Sequence, residues 1–182
     1  HRLRRGKFHK ATSALVLFFA SPQKPAAAFR CHPSSRYMAN QQELIKALLK
    51  AARDGDDAEV ASLIVRTAAV DARDADNRTA LLLAAYNGHA ETCRSLIEWR
   101  ADVNVQDRVG ETALHCAAIS GHTSVCTMLL DNRANIDAGD NFYQTALHQA
   151  CWNARLSTCA ALIEKGANYN AQSVRESSIF IC

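Results

Sequence analysis

Small and apolar residues return along this chain at a fixed interval. Thr79-Ala80-Leu81, Thr112-Ala113-Leu114 and Thr145-Ala146-Leu147 stand 33 residues apart. Other columns keep step: Ala84-Ala85 with Ala117-Ala118 and Ala150-Cys151, Leu96-Ile97 with Leu129-Leu130 and Leu162-Ile163, and Val70 with Val103, Ile136 and Tyr169. An earlier copy fits the same frame through Leu48, Ala51-Ala52, Gly55, Val60 and Leu63-Ile64. Within one copy, Thr112 stands where a hydroxyl caps a helix carrying Leu114, Ala117 and Ala118. Gly121 then breaks the pattern before a second helix carrying Val125, Cys126, Leu129 and Leu130.

The pattern therefore predicts an all-α array of four helix-turn-helix units, approximately residues 40–72, 73–105, 106–138 and 139–171, within an array spanning 38–171. Neither helix of a unit is long enough to be stable alone, and a lone unit has nowhere to bury its apolar face. Neighbours must supply the core by stacking. The alanine pairs suit that role, because small side chains let adjacent first helices approach closely.

Residues 1–37 carry none of this periodicity and fit three readings. HRLRRGKFHK, then ATSALVLFFA, then PAAAF has the basic start, short apolar run and small residues of a secretory signal. Its arginines and lack of acids equally suit an organellar transit peptide. The third reading takes Met38, where a helical pattern opens at once, as the natural start, with an upstream extension before it. At the other end, residues 172–182 align with the start of a fifth unit, placing Ser178 in the threonine column and Phe180 in the leucine column. Either the array continues in a longer protein, or Ile179, Phe180 and Ile181 dock on the fourth unit as a cap. An uncovered end would favour self-association of an otherwise monomeric protein.

The formal charge of +3 conceals an asymmetry: the first 42 residues hold eight Lys or Arg and no acid, leaving the rest at 13 basic and 18 acidic groups. A mildly acidic body argues against a nucleic-acid footprint. The apolar run of residues 11–20 is too short to span a bilayer. Seven cysteines, an odd number in a chain of this length, read as reduced thiols. A cytoplasmic protein is the expectation unless residues 1–37 act as a targeting signal.

TALHCA at 112–117 and TALHQA at 145–150, with the 33-residue period, resemble the T-P-L-H-x-A signature of the ankyrin repeat family. The resemblance covers about residues 40–171 and implies a solenoid of stacked helix pairs joined by β-turn/hairpin loops. Alanine replaces the signature proline at Ala80, Ala113 and Ala146, Leu82 replaces the histidine, and Ala154-Arg155 stand where Gly-His occurs at 88–89 and 121–122. Arg100 and Arg133 occupy the column of Gly166, a place just after a helix that favours a left-handed backbone. The resemblance also implies that His115 and His148 hydrogen-bond to the signature threonines.

These assignments give the apparent chemical groups structural work. Cys116 lies in a column with Leu83 and Gln149, so no chemistry repeats there. Cys93, Cys126 and Cys159 do repeat, beside leucines of the second helices, and read as small buried hydrophobes. Stacked helices lie about 8–10 Å apart, too far for bridges between units. The sequence holds no C-x-x-C or H-x-x-x-H pair of zinc ligands, no phosphate-cradling glycine loop and no nucleophile elbow. No cofactor, metal or catalytic residue is expected.

Subtracting the recurrent columns leaves the variable ones, which a solenoid presents on its loop tips and inner helix face. The family resemblance implies that a protein partner binds there. The positions are Ala75, Asp76, Arg78, Tyr86 and Asn87; Arg108, Val109, Glu111, Ile119 and Ser120; and Asn141, Phe142, Gln144, Trp152 and Asn153. Aromatic weight falls at the C-terminal end, as interface hot spots favour. In the competing reading, Phe142, Tyr143 and Trp152 merely cover the end of the stack. A binding module or adaptor is the leading expectation. The alternatives are the repeat part of a longer enzyme or ubiquitin-ligase substrate adaptor, and a structural spacer.

Overall fold

The computed structural model describes residues 35–67 and 69–171, so the readings of residues 1–34 and 172–182 lie outside the described residues. Among the described residues, eight helices follow one another in pairs: α1 (Ser35–Asp54) and α2 (Asp57–Thr67), α3 (Ala80–Asn87) and α4 (Ala90–Glu98), α5 (Ala113–Ser120) and α6 (Thr123–Asp131), α7 (Ala146–Trp152) and α8 (Leu156–Glu164). First helices pack on first helices and second on second, giving two layers. The helix expected to open at Met38 begins at Ser35, and it runs through Lys46, the position where threonine starts α3, α5 and α7.

The core runs continuously through the stack. Leu48, Leu81, Leu114 and Leu147 fill one column, and Val60, Cys93 and Cys126 another. Ala84, Ala85, Ala117 and Ala118 have no accessible surface, so the small-residue columns are where neighbouring units meet. Polar bonds between second helices add to this: Thr92 bonds Asp57, and the Thr123 and Thr158 hydroxyls pair at 2.9 Å.

Each first helix starts from a threonine in extended backbone, Thr112 having φ −95° and ψ 171°. Thr112 and His115 form a reciprocal cap: the threonine hydroxyl accepts the His115 N–H, and His115 Nδ1 accepts the Thr112 N–H at 3.2 Å. Thr145 and His148 repeat the arrangement. The hydrogen bond implied for these histidines is therefore present, with Nδ1 at 2.9 Å from the threonine hydroxyl in both units. Leu82 denies it to the second unit, where the buried Thr79 hydroxyl has no partner.

The turn between paired helices needs positive φ, supplied by Gly55, Gly88 and Gly121 and, in the fourth unit, by Ala154 at φ 53°. The missing side chain has a second use. A Cβ on Gly88 would meet the His122 ring at 2.5 Å, and one on Gly121 would meet Arg155 Cδ at 2.7 Å. Lying over those glycines, His122 Nε2 reaches the Tyr86 carbonyl at 3.2 Å and Arg155 Nε donates to the Ile119 carbonyl at 3.1 Å. Arg155 thus performs the histidine's task with a different donor, and the Gly-His departure leaves the stack intact.

Between units the chain makes tight turns rather than paired strands; the described residues contain no strand. Asp140 organises one such turn: its Oδ1 accepts the Phe142 and Gln144 N–H groups at 2.8 and 2.9 Å. Asp74 and Asp107 act identically. Successive tips are then tied together, Arg108 N–H donating to the Asp76 carbonyl at 2.9 Å and Asn141 N–H to the Val109 carbonyl at 3.0 Å.

Candidate functional site

The aspartate turns and the capped first helices hold the variable positions along one side of the stack. Ala75, Asp76, Tyr86, Asn87, Arg108, Val109, Asn141, Phe142, Trp152 and Asn153 are exposed, while Arg78, Glu111, Ile119, Ser120 and Gln144 are half-buried. None of the residues expected to face outward is buried. Two hollows lie among them. The first, of about 380 Å³, has Arg78, Leu83, Tyr86, Asn87, Glu111 and Cys116 in its wall. The second, of about 260 Å³, lies between Val109, Glu111, Phe142, Gln149 and Trp152. Glu111 belongs to both and joins them.

Phe142 and Trp152, expected side by side, line the second hollow together. Ile119 and Ser120 enter neither hollow, because they sit in the last turn of α5, below the tips. Asn87 and Asn153 each donate their amide to a carbonyl of their own helix at 2.8 Å, which fixes the helix end. Asn141 donates to the Arg108 carbonyl at 3.1 Å and so helps tie the tips.

The Leu83, Cys116 and Gln149 column was missed. Leu83 and Cys116 are buried and Gln149 is half-buried, yet all three line hollows. Arg53, Asp107 and Asp140 also contribute to the walls. The 33-residue recurrence of Asp74, Asp107 and Asp140 was the available signal for the two aspartates.

Charge along this side is uneven. Burial raises the Asp74 carboxyl, but hydrogen bonds from the Arg78 N–H and guanidinium outweigh it and hold the group below its usual range. Arg78 also pairs with Asp76 at 3.2 Å, and Arg108 reaches Asp76 at 3.6 Å. Glu111 differs. Burial, with the Asp107 and Asp140 charges beside it, pushes its carboxyl above the usual range. The joint between the hollows is therefore a carboxylate held among like charges.

The remaining groups are set by the scaffold. His115 is wholly buried and burial holds its ring below the usual range. Burial pushes the Cys93 and Cys126 thiols up to about 12. Among the described residues no cluster of three or more His, Cys, Asp or Glu is placed to hold a metal ion. No helix among them is long and apolar enough to cross a membrane.

A family model of ankyrin repeats in three copies matches residues 28–107 and 100–173. The chain belongs to the ankyrin repeat family. Ankyrin repeats are in general protein–protein interaction modules, and the architecture described above is that of an ankyrin solenoid. None of the curated proteins compared with the chain matches it.

Proposed function

We propose that this ankyrin array is an adaptor that binds a protein partner along the loop tips and inner helices, through the two hollows joined at Glu111. The observation that carries the reading is the run of exposed Tyr86, Val109, Phe142 and Trp152 along the side where both hollows open. An extended segment fits that run best, with a basic side chain on Glu111 flanked by apolar ones towards Tyr86 and Trp152. The cation would relieve a carboxylate that now lies beside two others, and aromatic walls supply anchor sites. Trp152 and Tyr143 are 69% and 67% exposed, which favours contact with a partner over covering the end of the stack.

A photo-crosslinking residue placed in the full chain at Trp152, and separately at the exposed Arg94 on α4, tests this assignment. Capture from position 152 and not from 94 is expected. Alanine at both Trp152 and Phe142 should weaken binding of the captured partner by at least about 2 kcal/mol, roughly 30-fold, with unchanged circular dichroism. Equal capture from both positions would refute the placement.

A further inference from the structure

In the fourth unit two thiols face each other across the helix hairpin: Cys151 Sγ on α7 and Cys159 Sγ on α8 lie 3.3 Å apart. The repeat register shows why only this unit has such a pair. The Cys159 column reads Val60, Cys93, Cys126 and Cys159, whereas the Cys151 column reads Ala52, Ala85, Ala118 and Cys151. Sulfur meets alanine in the second and third units and sulfur in the fourth. Cys93, Cys116 and Cys126 are buried, but Cys151 and Cys159 are both half-buried among the described residues. Cys159 thus departs from the buried ladder expected of its column.

A disulfide has a sulfur–sulfur bond of about 2.0 Å, so closing this pair needs an approach of roughly 1.3 Å. Both sulfurs belong to one hairpin, eight residues apart in sequence, and that approach requires no movement between units. The inter-unit spacing that bars bridges along the Cys93–Cys126–Cys159 ladder does not apply.

We propose that Cys151 and Cys159 are a redox site, forming a reversible disulfide that locks α7 to α8 when the protein meets hydrogen peroxide. One thiolate attacks a peroxide oxygen, the O–O bond breaks, and a sulfenic acid forms with release of water. The second thiol displaces the sulfenic hydroxyl as a second water, and the S–S bond forms. Two thiols lose two electrons and two protons, and hydrogen peroxide takes up both. A dithiol reductant reverses the bond by exchange. Cys151 directly precedes Trp152, so the bond fixes the last turn of α7 beside the second hollow.

The reduced full chain is treated with stoichiometric hydrogen peroxide, quenched with iodoacetamide and digested with trypsin. Arg155 lies between the two cysteines, so a disulfide appears as a linked pair of peptides, 134–155 with 156–165. The expected result is that linked pair, reversible by dithiothreitol, with Cys151 and Cys159 lost to alkylation at least about tenfold faster than Cys116 and Cys126. In Cys151→Ser and Cys159→Ser, confirmed as folded by circular dichroism, the linked pair should vanish and the remaining thiol should be trapped by dimedone as a sulfenic acid. Equal alkylation of Cys151 and Cys116 in the treated wild type would overturn the proposal. So would linkage of either cysteine to Cys31, Cys182 or a second chain.

Discussion

His115 Nε2 lies 2.9 Å from the carbonyl of Gln144, a residue of the next unit, while Nδ1 of the same ring accepts the Thr112 N–H within its own. One neutral imidazole therefore caps a helix and joins two units, with Nε2 carrying the proton. Protonating Nδ1 would turn its acceptor against a donor in a buried site. Burial favours the neutral ring, so the folded His115 titrates below its ordinary value of 6.5. A histidine depressed in the fold gives stability that is fully present above the unfolded pKa and is lost as pH falls. The urea midpoint should accordingly hold above about pH 6.5 and fall below it. His115→Leu should flatten that dependence and lower the unfolding free energy at pH 7.5 by about 1–3 kcal/mol, since the Thr112 hydroxyl and Gln144 carbonyl lose a partner.

The second unit already contains that loss. Leu82 occupies the histidine column, and the Thr79 hydroxyl is buried without a partner. Thr79→Val removes the unmatched hydroxyl while keeping the branched shape, and urea unfolding should show an unfolding free energy raised by about 1 kcal/mol. Thr112→Val, which breaks the reciprocal cap, should lower it by about 1–2 kcal/mol. The opposite signs, measured side by side, separate an orphaned hydroxyl from a working one.

Arg100 and Arg133 hold φ of 69° and 67°, in the column where Gly166 has 92°. A side chain in this region costs about 1–2 kcal/mol relative to glycine, and the Arg133 side chain is exposed with no burial to offset it. Arg133→Gly should raise the unfolding free energy, measured in urea, by about 1 kcal/mol. Gly121→Ala should lower it by more, because the new Cβ must displace Arg155 as well as adopt φ 84°.

The helices, the stacking and the side on which variation gathers were legible because repetition separates structural columns from free ones. Thr112 as a helix cap, and Arg133 after α6, were readable as local backbone requirements, whereas the bond from His115 to Thr112 was implied by the family resemblance. Three features were harder to reach. The Arg155 contact was hidden because a guanidinium and an imidazole share a task that their chemistry does not advertise. The Cys151–Cys159 approach depends on how the two helices of one hairpin face each other, which the spacing between units does not reveal. The aspartate turns were visible at the same 33-residue interval, but a lone acid in a loop column resembles ordinary surface charge until its N–H partners are seen.

Glu111 offers a prediction in which stability and binding oppose each other. Burial first, then the Asp107 and Asp140 carboxylates, raise its folded pKa above the ordinary value of 4.5. An acid raised in the fold contributes stability that is present below its unfolded pKa and lost as pH rises through its folded one. At neutral pH the ionised Glu111 therefore opposes folding, and Glu111→Gln should raise the urea midpoint at pH 7. The difference should shrink towards pH 4, where wild-type Glu111 is itself neutral. If the carboxylate instead awaits a cation from a partner, the same variant should bind that partner more weakly and with less sensitivity to salt. Stability gained with affinity unchanged would place the cation elsewhere on the row, whereas stability lost would mean that Glu111 serves the fold.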